Sequence, residues 1–134
     1  MSTTKAATQI SAIGTVVVPV SDQDRALEFY VGKIGLELRN DIPFGGGMRW
    51  LEVAPAGSAT VLAIVPPRPG GEIGVGTGIV LTSDDIEADH ALLKASGVDV
   101  DSEVVYMGAP VPPMFWFRDP DGNALLIVGG METD

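Results

Sequence analysis

A chain of 134 residues can bury one hydrophobic core, and its 46% hydrophobic and 19% charged residues predict a folded domain rather than a disordered one. Its formal charge of −10 repels nucleic acids and anionic membranes, so we expect neither as a partner. The absence of cysteine excludes disulfides, thiolate catalysis and zinc–thiolate sites, and it agrees with a cytoplasmic location.

The first half of the chain opens with a predicted tail at residues 1–11, which has no apolar stretch of signal-peptide length. The β-branched run after Gly14 predicts a strand, and the pair Ser21-Asp22 then predicts a helix start. The apolar stripe of this helix consists of Leu27, Tyr30, Val31 and Ile34. Three more strands are predicted at residues 36–41, 48–54 and 60–65.

A linker is predicted at "PPRPGGEIGVG", residues 66–76, because Pro and Gly disfavour the interior of both helices and strands. The overlapping "GVGTG" is superficially similar to a phosphate-binding loop. Such a loop must open a helix, whereas this one continues into the strand-like "GIVLT". We therefore expect no nucleotide site here.

The second half repeats the first. "GTVVVPVSDQDRALEFYVGKIGLEL" (14–38) aligns without a gap on "GTGIVLTSDDIEADHALLKASGVDV" (76–100), which predicts a second strand and helix. In this helix Asp89 takes the place of Leu27, while Leu92 and Leu93 keep the apolar face. Strands follow at 98–106, 113–118 and 124–128, the last two joined by the turn "RDPDGN". The pattern is α+β: one strand, one helix and three strands, used twice.

This tandem unit, with "VSDQDRALEFYVGKIGLEL" in the first half and "FRDPDGNALLIV" at the end, resembles the vicinal oxygen chelate superfamily, also called the glyoxalase/bleomycin resistance/dioxygenase family. The resemblance implies two βαβββ modules, about 11–65 and 77–129, within one domain of residues 1–134. Their strands would form a curled mixed sheet around a cavity. It further implies a homodimer and, in the family's enzymes, one divalent metal that chelates two neighbouring substrate oxygens.

The residues at the family's metal-ligand positions do not suit a metal. Carried over from the two motifs, these positions fall on Thr15, Ala63, Leu126 and either Thr77 or, shifted by one residue, Gly78. Divalent transition metals prefer imidazole and carboxylate donors. We therefore expect no metal at this place and no cofactor.

Alternation along the strands predicts which side chains face the cavity. Phe115, Phe117, Leu51 and Val53 suit packing under the helices, which leaves the opposite faces of "MRWLEV" and "MFWFRD" for a ligand. Trp50 and Trp116 are predicted at matching places of the two modules; alternatively, these aromatics complete the core or a dimer interface. Phe44, in the glycine-rich loop "DIPFGGGM", lies either on a flap over the cavity or in a plain hairpin connection. The predicted ligand-binding residues are Phe44, Met48, Trp50, Glu52, Tyr106, Met114, Trp116 and Arg118.

If the protein carries out acid–base chemistry without a metal, Glu52 is the first candidate, followed by Tyr106 and Asp41. Glu52 and Arg118 occupy corresponding places, so they could instead form a structural ion pair. His90, the single histidine, aligns with Glu28 and is predicted on the solvated outer face of the second helix.

These observations leave two classes of function. The first is a protein without the usual metal site that binds a hydrophobic or aromatic small molecule, as the drug-binding members of the family do. The second is a glyoxalase- or dioxygenase-like enzyme, with either an unconventional metal site or acid–base catalysis by Glu52. A third reading is an accessory protein that has lost its site. The acidic surface and the missing metal ligands favour the first.

Overall fold

The computed structural model describes residues 4–130, which contain eight strands and two helices, the first of which continues into a π-helical turn. We call β1 to β4 with α1 the first module, and β5 to β8 with α2 the second. The elements in chain order are β1 (Thr15–Pro19), α1 (Gln23–Leu27), the π-helical turn (Glu28–Lys33), β2 (Glu37–Pro43), β3 (Arg49–Ala54), β4 (Val61–Val65), β5 (Gly76–Ser83), α2 (Ile86–Ala95), β6 (Asp99–Val100), β7 (Met114–Arg118) and β8 (Ala124–Gly129).

Each module forms its own four-stranded mixed sheet. The strand orders are β1-β4-β3-β2 and β5-β8-β7-β6. In both sheets the first strand runs parallel to the last, while the other neighbours are antiparallel. The expected α+β class, with its βαβββ unit used twice, is confirmed.

Capping residues and glycines set the ends of the helices. Asp22 has extended backbone angles, and its carboxylate accepts a hydrogen bond from the Arg25 amide at 3.0 Å. The corresponding N-cap of α2 is Asp85, so this helix begins one residue later than the repeat predicts. Gly35 and Gly97 then adopt positive φ angles of 88° and 82° directly after the helical segments, a conformation that glycine adopts without strain.

The core lies between the helices and the helix-facing sides of the two sheets. Leu51 and Val53 of β3 and Phe115 and Phe117 of β7 are fully buried there, as the alternation predicts. The π-helical turn buries the adjacent Phe29 and Tyr30, and the ring of Phe29 lies 6.1 Å from that of Phe117 in the other module. Buried residues of both modules thereby form one hydrophobic cluster.

The turn "RDPDGN" ties the two modules together through a buried polar joint formed by Tyr30, Asp119 and Asn123. The Tyr30 hydroxyl donates to Asp119 Oδ2 at 2.9 Å, and Asn123 Nδ2 donates to the same oxygen at 2.9 Å. Asn123 Nδ2 also donates to the Pro19 carbonyl at the end of β1. Because a buried polar group left unpaired is costly, this network holds the second module against the first.

The predicted strand 98–106 is wrong over most of its length. Only Asp99–Val100 forms a strand, and Val105 makes an isolated bridge to Met114. Between them, the side chain of Asp101 accepts the Trp116 amide at 3.0 Å. A side chain thus replaces the backbone partner that a continuous strand would have offered to β7.

The predicted face of α2 is also wrong at two residues. Because the helix begins at Ile86, residues at spacings of four and seven, His90 and Leu93, face the core. His90 is only 8% exposed, whereas Leu92 is 61% exposed and points away from the core. The expectation of a solvated His90 placed the start of α2 one residue too early. Counted from the N-cap Asp85, His90 corresponds to Leu27 on the apolar stripe of α1 rather than to Glu28.

Residues 4–14 form neither helix nor strand, as expected for the tail, and residues 1–3 lie outside the described range. The predicted linker, residues 66–76, joins β4 to β5, which begins at the last linker residue, Gly76. Among the described residues, no helix has the length and apolar character needed to cross a membrane.

Candidate functional site

Each sheet has a second face that neither of the two described helices covers, and we call it the open face of that sheet. On the first sheet, strand pairing sets Val17, Ala63, Glu52 and Asn40 side by side across the four strands. Laterally paired residues point to the same side of a sheet, so these four share the open face. Val17 is 52% exposed there, which leaves apolar surface uncovered around a single carboxylate.

Glu52 is held in place by two uncharged donors. The indole nitrogen of Trp50 donates to Glu52 Oε2 at 3.1 Å, and the amide nitrogen of Asn40 donates to Glu52 Oε1 at 2.5 Å. Trp50 and Glu52 are both half-buried. The arrangement fixes a planar aromatic ring beside an ionisable acceptor.

The open face of the second sheet carries Trp116 between Leu126 and the Asp101 segment. Trp116 pairs with Leu126, which pairs with Val80, and Trp116 and Val80 are 38% and 53% exposed. Arg118 does not pair with Glu52, as one alternative held; its guanidinium lies 2.8 Å from Asp101 and 3.6 Å from Asp99.

Asp101 anchors this second face. Its carboxylate accepts from both the Trp116 amide and Arg118, and its own amide donates to the Trp116 carbonyl. Burial raises the pKa of Asp101, but these hydrogen bonds and the positive charge of Arg118 outweigh it, so the pKa lies below its usual value. The carbonyl of Asp101 is 2.7 Å from His90 Nε2, which links the segment to α2.

The two tryptophans do not occupy matching places. Aligning "TVLAIV" of β4 with "NALLIV" of β8 equates Ala63 with Leu126. Ala63 pairs with Glu52, whereas Leu126 pairs with Trp116, so the counterpart of Glu52 is Trp116. The prediction that Trp50 and Trp116 are equivalent came from aligning the sequences of β3 and β7 directly. It is wrong by two residues, because equivalent positions are set by the pairing of each strand with its neighbour.

The positions expected for a metal carry no suitable donor. Thr15 of β1 pairs with Val61 of β4, two residues before the row that contains Ala63. The Thr77 hydroxyl donates to the Ala124 carbonyl at 2.8 Å and accepts from the Ile79 amide, so it already serves the backbone. Among residues 4–130, no group of three or more His, Asp or Glu side chains could hold a metal. This donor set does not fit the divalent metal of the family's enzymes.

Several predicted site residues lie apart from the open faces. The Tyr106 hydroxyl donates to Glu87 of α2, a hydrogen bond that raises the pKa of Tyr106. Asp41 pairs with Leu51 on the helix-facing side and accepts from Arg49 at 3.1 Å. Neither is placed for acid–base chemistry beside Glu52. Phe44 and Met48 close the exposed turn between β2 and β3, where the Phe44 amide donates to the Met48 carbonyl.

Of two open grooves on the molecule, the second reaches the second open face at Val80. One of about 1010 Å³ follows α1 and the π-helical turn to Pro120, and one of about 510 Å³ lies between the Pro55–Thr60 region and β5. Trp50, Glu52 and Trp116 line neither groove. Neither groove is therefore the cavity predicted around the two tryptophans.

Asn40 and Asp101 are functional candidates that sequence reasoning missed. Asn40 reaches the row of Glu52 only because a register shift separates it from Leu38 on β2. Asp101 lies in what reads as a strand, and the only local signal against that strand is the pair Asp101-Ser102, which is unfavourable in strand interiors.

Comparison with known proteins identifies the family of the chain. The model of the Glyoxalase/Bleomycin resistance protein/Dioxygenase superfamily matches residues 12–127. The protein YetH of Bacillus subtilis (strain 168) is 36% identical over 124 residues, which cover 88% of this chain and 98% of YetH. The chain therefore belongs to the Glyoxalase/Bleomycin resistance protein/Dioxygenase superfamily.

Solved structures extend the comparison. TnmS3, an antibiotic binding protein from Streptomyces sp. CB03234, is 39% identical with a TM-score of 0.79, and the match covers 91% of this chain and 98% of TnmS3. A member of the superfamily from Sphaerobacter thermophilus DSM 20745 is 32% identical with a TM-score of 0.83, over 92% of this chain and 100% of the other.

Proposed function

We propose that the protein binds a hydrophobic or aromatic small molecule on its open faces, in a drug-binding or resistance-like role. The observation that carries this proposal is Trp50, whose indole is held by Glu52 beside the exposed apolar side chains of the first sheet. A ring held in one orientation loses little conformational freedom when a flat ligand stacks on it. Similarity to TnmS3, which is an antibiotic binding protein, supports a role in binding a small molecule.

A binding role fits the residues better than the enzymatic alternative. The positions of Thr15, Ala63, Thr77 and Leu126 offer no metal ligands of the usual kind. Glu52, the first candidate for acid–base catalysis, already accepts a hydrogen bond on each carboxylate oxygen. It is better suited to accept a hydrogen bond from a ligand than to take a proton away from one.

The proposed site is completed by a second copy of the chain in a homodimer. The open faces leave Val17, Ile42, Val80 and Trp116 exposed, and uncovered apolar surface of this kind is typical of interfaces and ligand sites. Two faces brought together would enclose a flat ligand between aromatic walls. The mass of the protein in solution, measured by light scattering, tests this part: a monomer at every concentration would contradict it.

We further propose that the chain folds as a single domain and acts in the cytoplasm. The single hydrophobic cluster shared by both modules supports one domain over residues 1–134, and the absence of cysteine supports a reducing compartment.

Binding can be tested by titrating 2-naphthol, a flat aromatic compound, into the protein and measuring heat by isothermal titration calorimetry. Trp50→Leu and Trp116→Leu should each weaken binding at least roughly tenfold, because truncated aromatic anchors typically cost that much or more. Leu92→Ala, which removes an exposed apolar side chain from α2, is the matched control and should leave the affinity unchanged. Equal affinity in all four proteins would place the ligand elsewhere.

A further inference from the structure

We infer that Glu52 determines the specificity of the proposed site, and that it selects aromatic ligands carrying a hydrogen-bond donor or a positive charge. The inference rests on the proposed function and names the chemistry of the ligand. It depends on whether neighbouring side chains neutralise the charge of Glu52 or use all of its acceptor sites.

The charge of Glu52 is not neutralised by a cation. None of the ion pairs formed within residues 4–130 includes Glu52. Arg49, on the same strand, faces the other side of the sheet, where it pairs with Asp24 at 2.6 Å and Asp41 at 3.1 Å. Of the other residues in its row, Val17 and Ala63 are apolar and Asn40 is uncharged, so the carboxylate is the only charged group in that row.

Glu52 also retains acceptor capacity. A carboxylate offers about four lone-pair sites, and Trp50 and Asn40 each use one. These two donors fix the orientation of the carboxylate, and its half-buried position leaves the remaining sites accessible from the open face. A hydroxyl or ammonium group of a ligand stacked on Trp50 would therefore find a preorganised acceptor.

Within residues 4–130, the second open face offers no unpaired cation to attract an anion. Arg118, its one cation in this range, is already paired with Asp101 and Asp99. The chain as a whole carries a formal charge of −10. An anionic ligand would meet an unneutralised carboxylate on one face and a satisfied guanidinium on the other, so both faces favour donors and cations.

Four naphthalene compounds of similar size separate these contributions. 2-Naphthol carries a neutral donor, 2-methoxynaphthalene lacks it, 2-naphthylmethylamine is a cation and 2-naphthoate is an anion. Their affinities should be measured by calorimetry with the wild-type protein, Glu52→Gln and Glu28→Gln. Glu28→Gln removes the same charge from the exposed outer side of the π-helical turn and so controls for net charge.

The amine and the naphthol should bind the wild-type protein roughly tenfold to a hundredfold more tightly than the methoxy compound and the carboxylate, the range typical of charge-assisted hydrogen bonds. Glu52→Gln should reduce the preference for the amine by about tenfold or more, whereas Glu28→Gln should keep it. A preference that survives in Glu52→Gln would overturn the inference. Failure of all four compounds to bind the wild-type protein would contradict the proposed function itself.

A second variant separates recognition from a structural role of Glu52. Asn40→Ala removes one of the two donors and frees Glu52 Oε1 for the ligand. If Glu52 recognises the ligand, the preference for the amine should stay or increase in this variant. If Glu52 serves only to hold the sheet, Asn40→Ala and Glu52→Gln should both lower the unfolding temperature and leave the preference unchanged, which would overturn the inference.

Discussion

The hydroxyl of Tyr30 should stabilise the contact between the two modules, and Tyr30→Phe removes it while keeping the ring. Tyr30 is fully buried, and its hydroxyl donates to Asp119 Oδ2 at 2.9 Å. Asp119 keeps its other donors, Asn123 Nδ2 and the amides of Asp121 and Asn123. A hydrogen bond to a charged group contributes about 2 kcal/mol to the free energy of unfolding, which corresponds to roughly 6 °C in a domain of this size.

The pH dependence of this difference gives a sharper test. Burial, followed by the charge of Asp119, raises the pKa of Tyr30 well above its ordinary value of 10.0. The folded protein therefore keeps the Tyr30 proton at a pH where the unfolded chain releases it. This contribution to stability is complete below about pH 10 and declines above it by about 1.4 kcal/mol per pH unit. The wild-type protein should thus lose most of its advantage over Tyr30→Phe as the pH rises from 10 to 11.

Urea unfolding followed by tryptophan fluorescence at pH 7, 9, 10 and 11 measures both effects. Tyr106→Phe is the matched control, because Tyr106 is the other tyrosine and its hydroxyl lies at the surface on Glu87. This control should cost less than about 1 kcal/mol. The reasoning fails if Tyr30→Phe is as stable as the wild-type protein at pH 7, or if the difference between them is the same at pH 9 and pH 11.

Two further predictions concern the second open face. Asp101→Asn should reduce the loss of stability in acid. Because the pKa of Asp101 in the folded protein is lowered, its carboxylate stabilises the fold above the ordinary pKa of 3.8, and this contribution is lost as the pH falls below that value. Unfolding curves between pH 6 and 3 measure the effect, and equal losses of stability in the variant and the wild-type protein would contradict it. Leu126→Glu should not create stoichiometric metal binding, because the neighbouring side chains of Val80 and Trp116 are not metal ligands. Elemental analysis after incubation with nickel, zinc, manganese and iron salts tests this, and one bound ion per chain would contradict it.

The parts of the fold that local signals encode could be predicted from the sequence. The strand and helix units follow from periodicity, from the N-cap Asp22 and from Gly35 and Gly97 at the helix ends. The helix-facing positions of Phe115 and Phe117 follow from simple alternation.

The parts that depend on distant residues could not. The bond between Tyr30 and Asp119 joins positions 89 residues apart, and no local pattern marks either as a partner of the other. The match between Glu52 and Trp116 depends on which residues pair across strands, and a shift of one pleat moves the assignment by two residues. His90 was misplaced because α2 begins after Asp85, one residue later than the repeat predicts, which moves His90 onto the apolar face of the helix.

The most direct test of the proposed site is ¹⁹F NMR of protein labelled with 5-fluorotryptophan. The chain has two tryptophans, and each lies on one open face, so two signals report on the two faces separately. Trp50→Phe and Trp116→Phe assign them. On titration with 2-naphthylmethylamine, the Trp50 signal should shift saturably in the wild-type protein and much less in Glu52→Gln, and the Trp116 signal should shift at the same ligand concentrations. Chemical shifts of both signals that stay unchanged at every concentration of the compound would contradict ligand binding at the open faces.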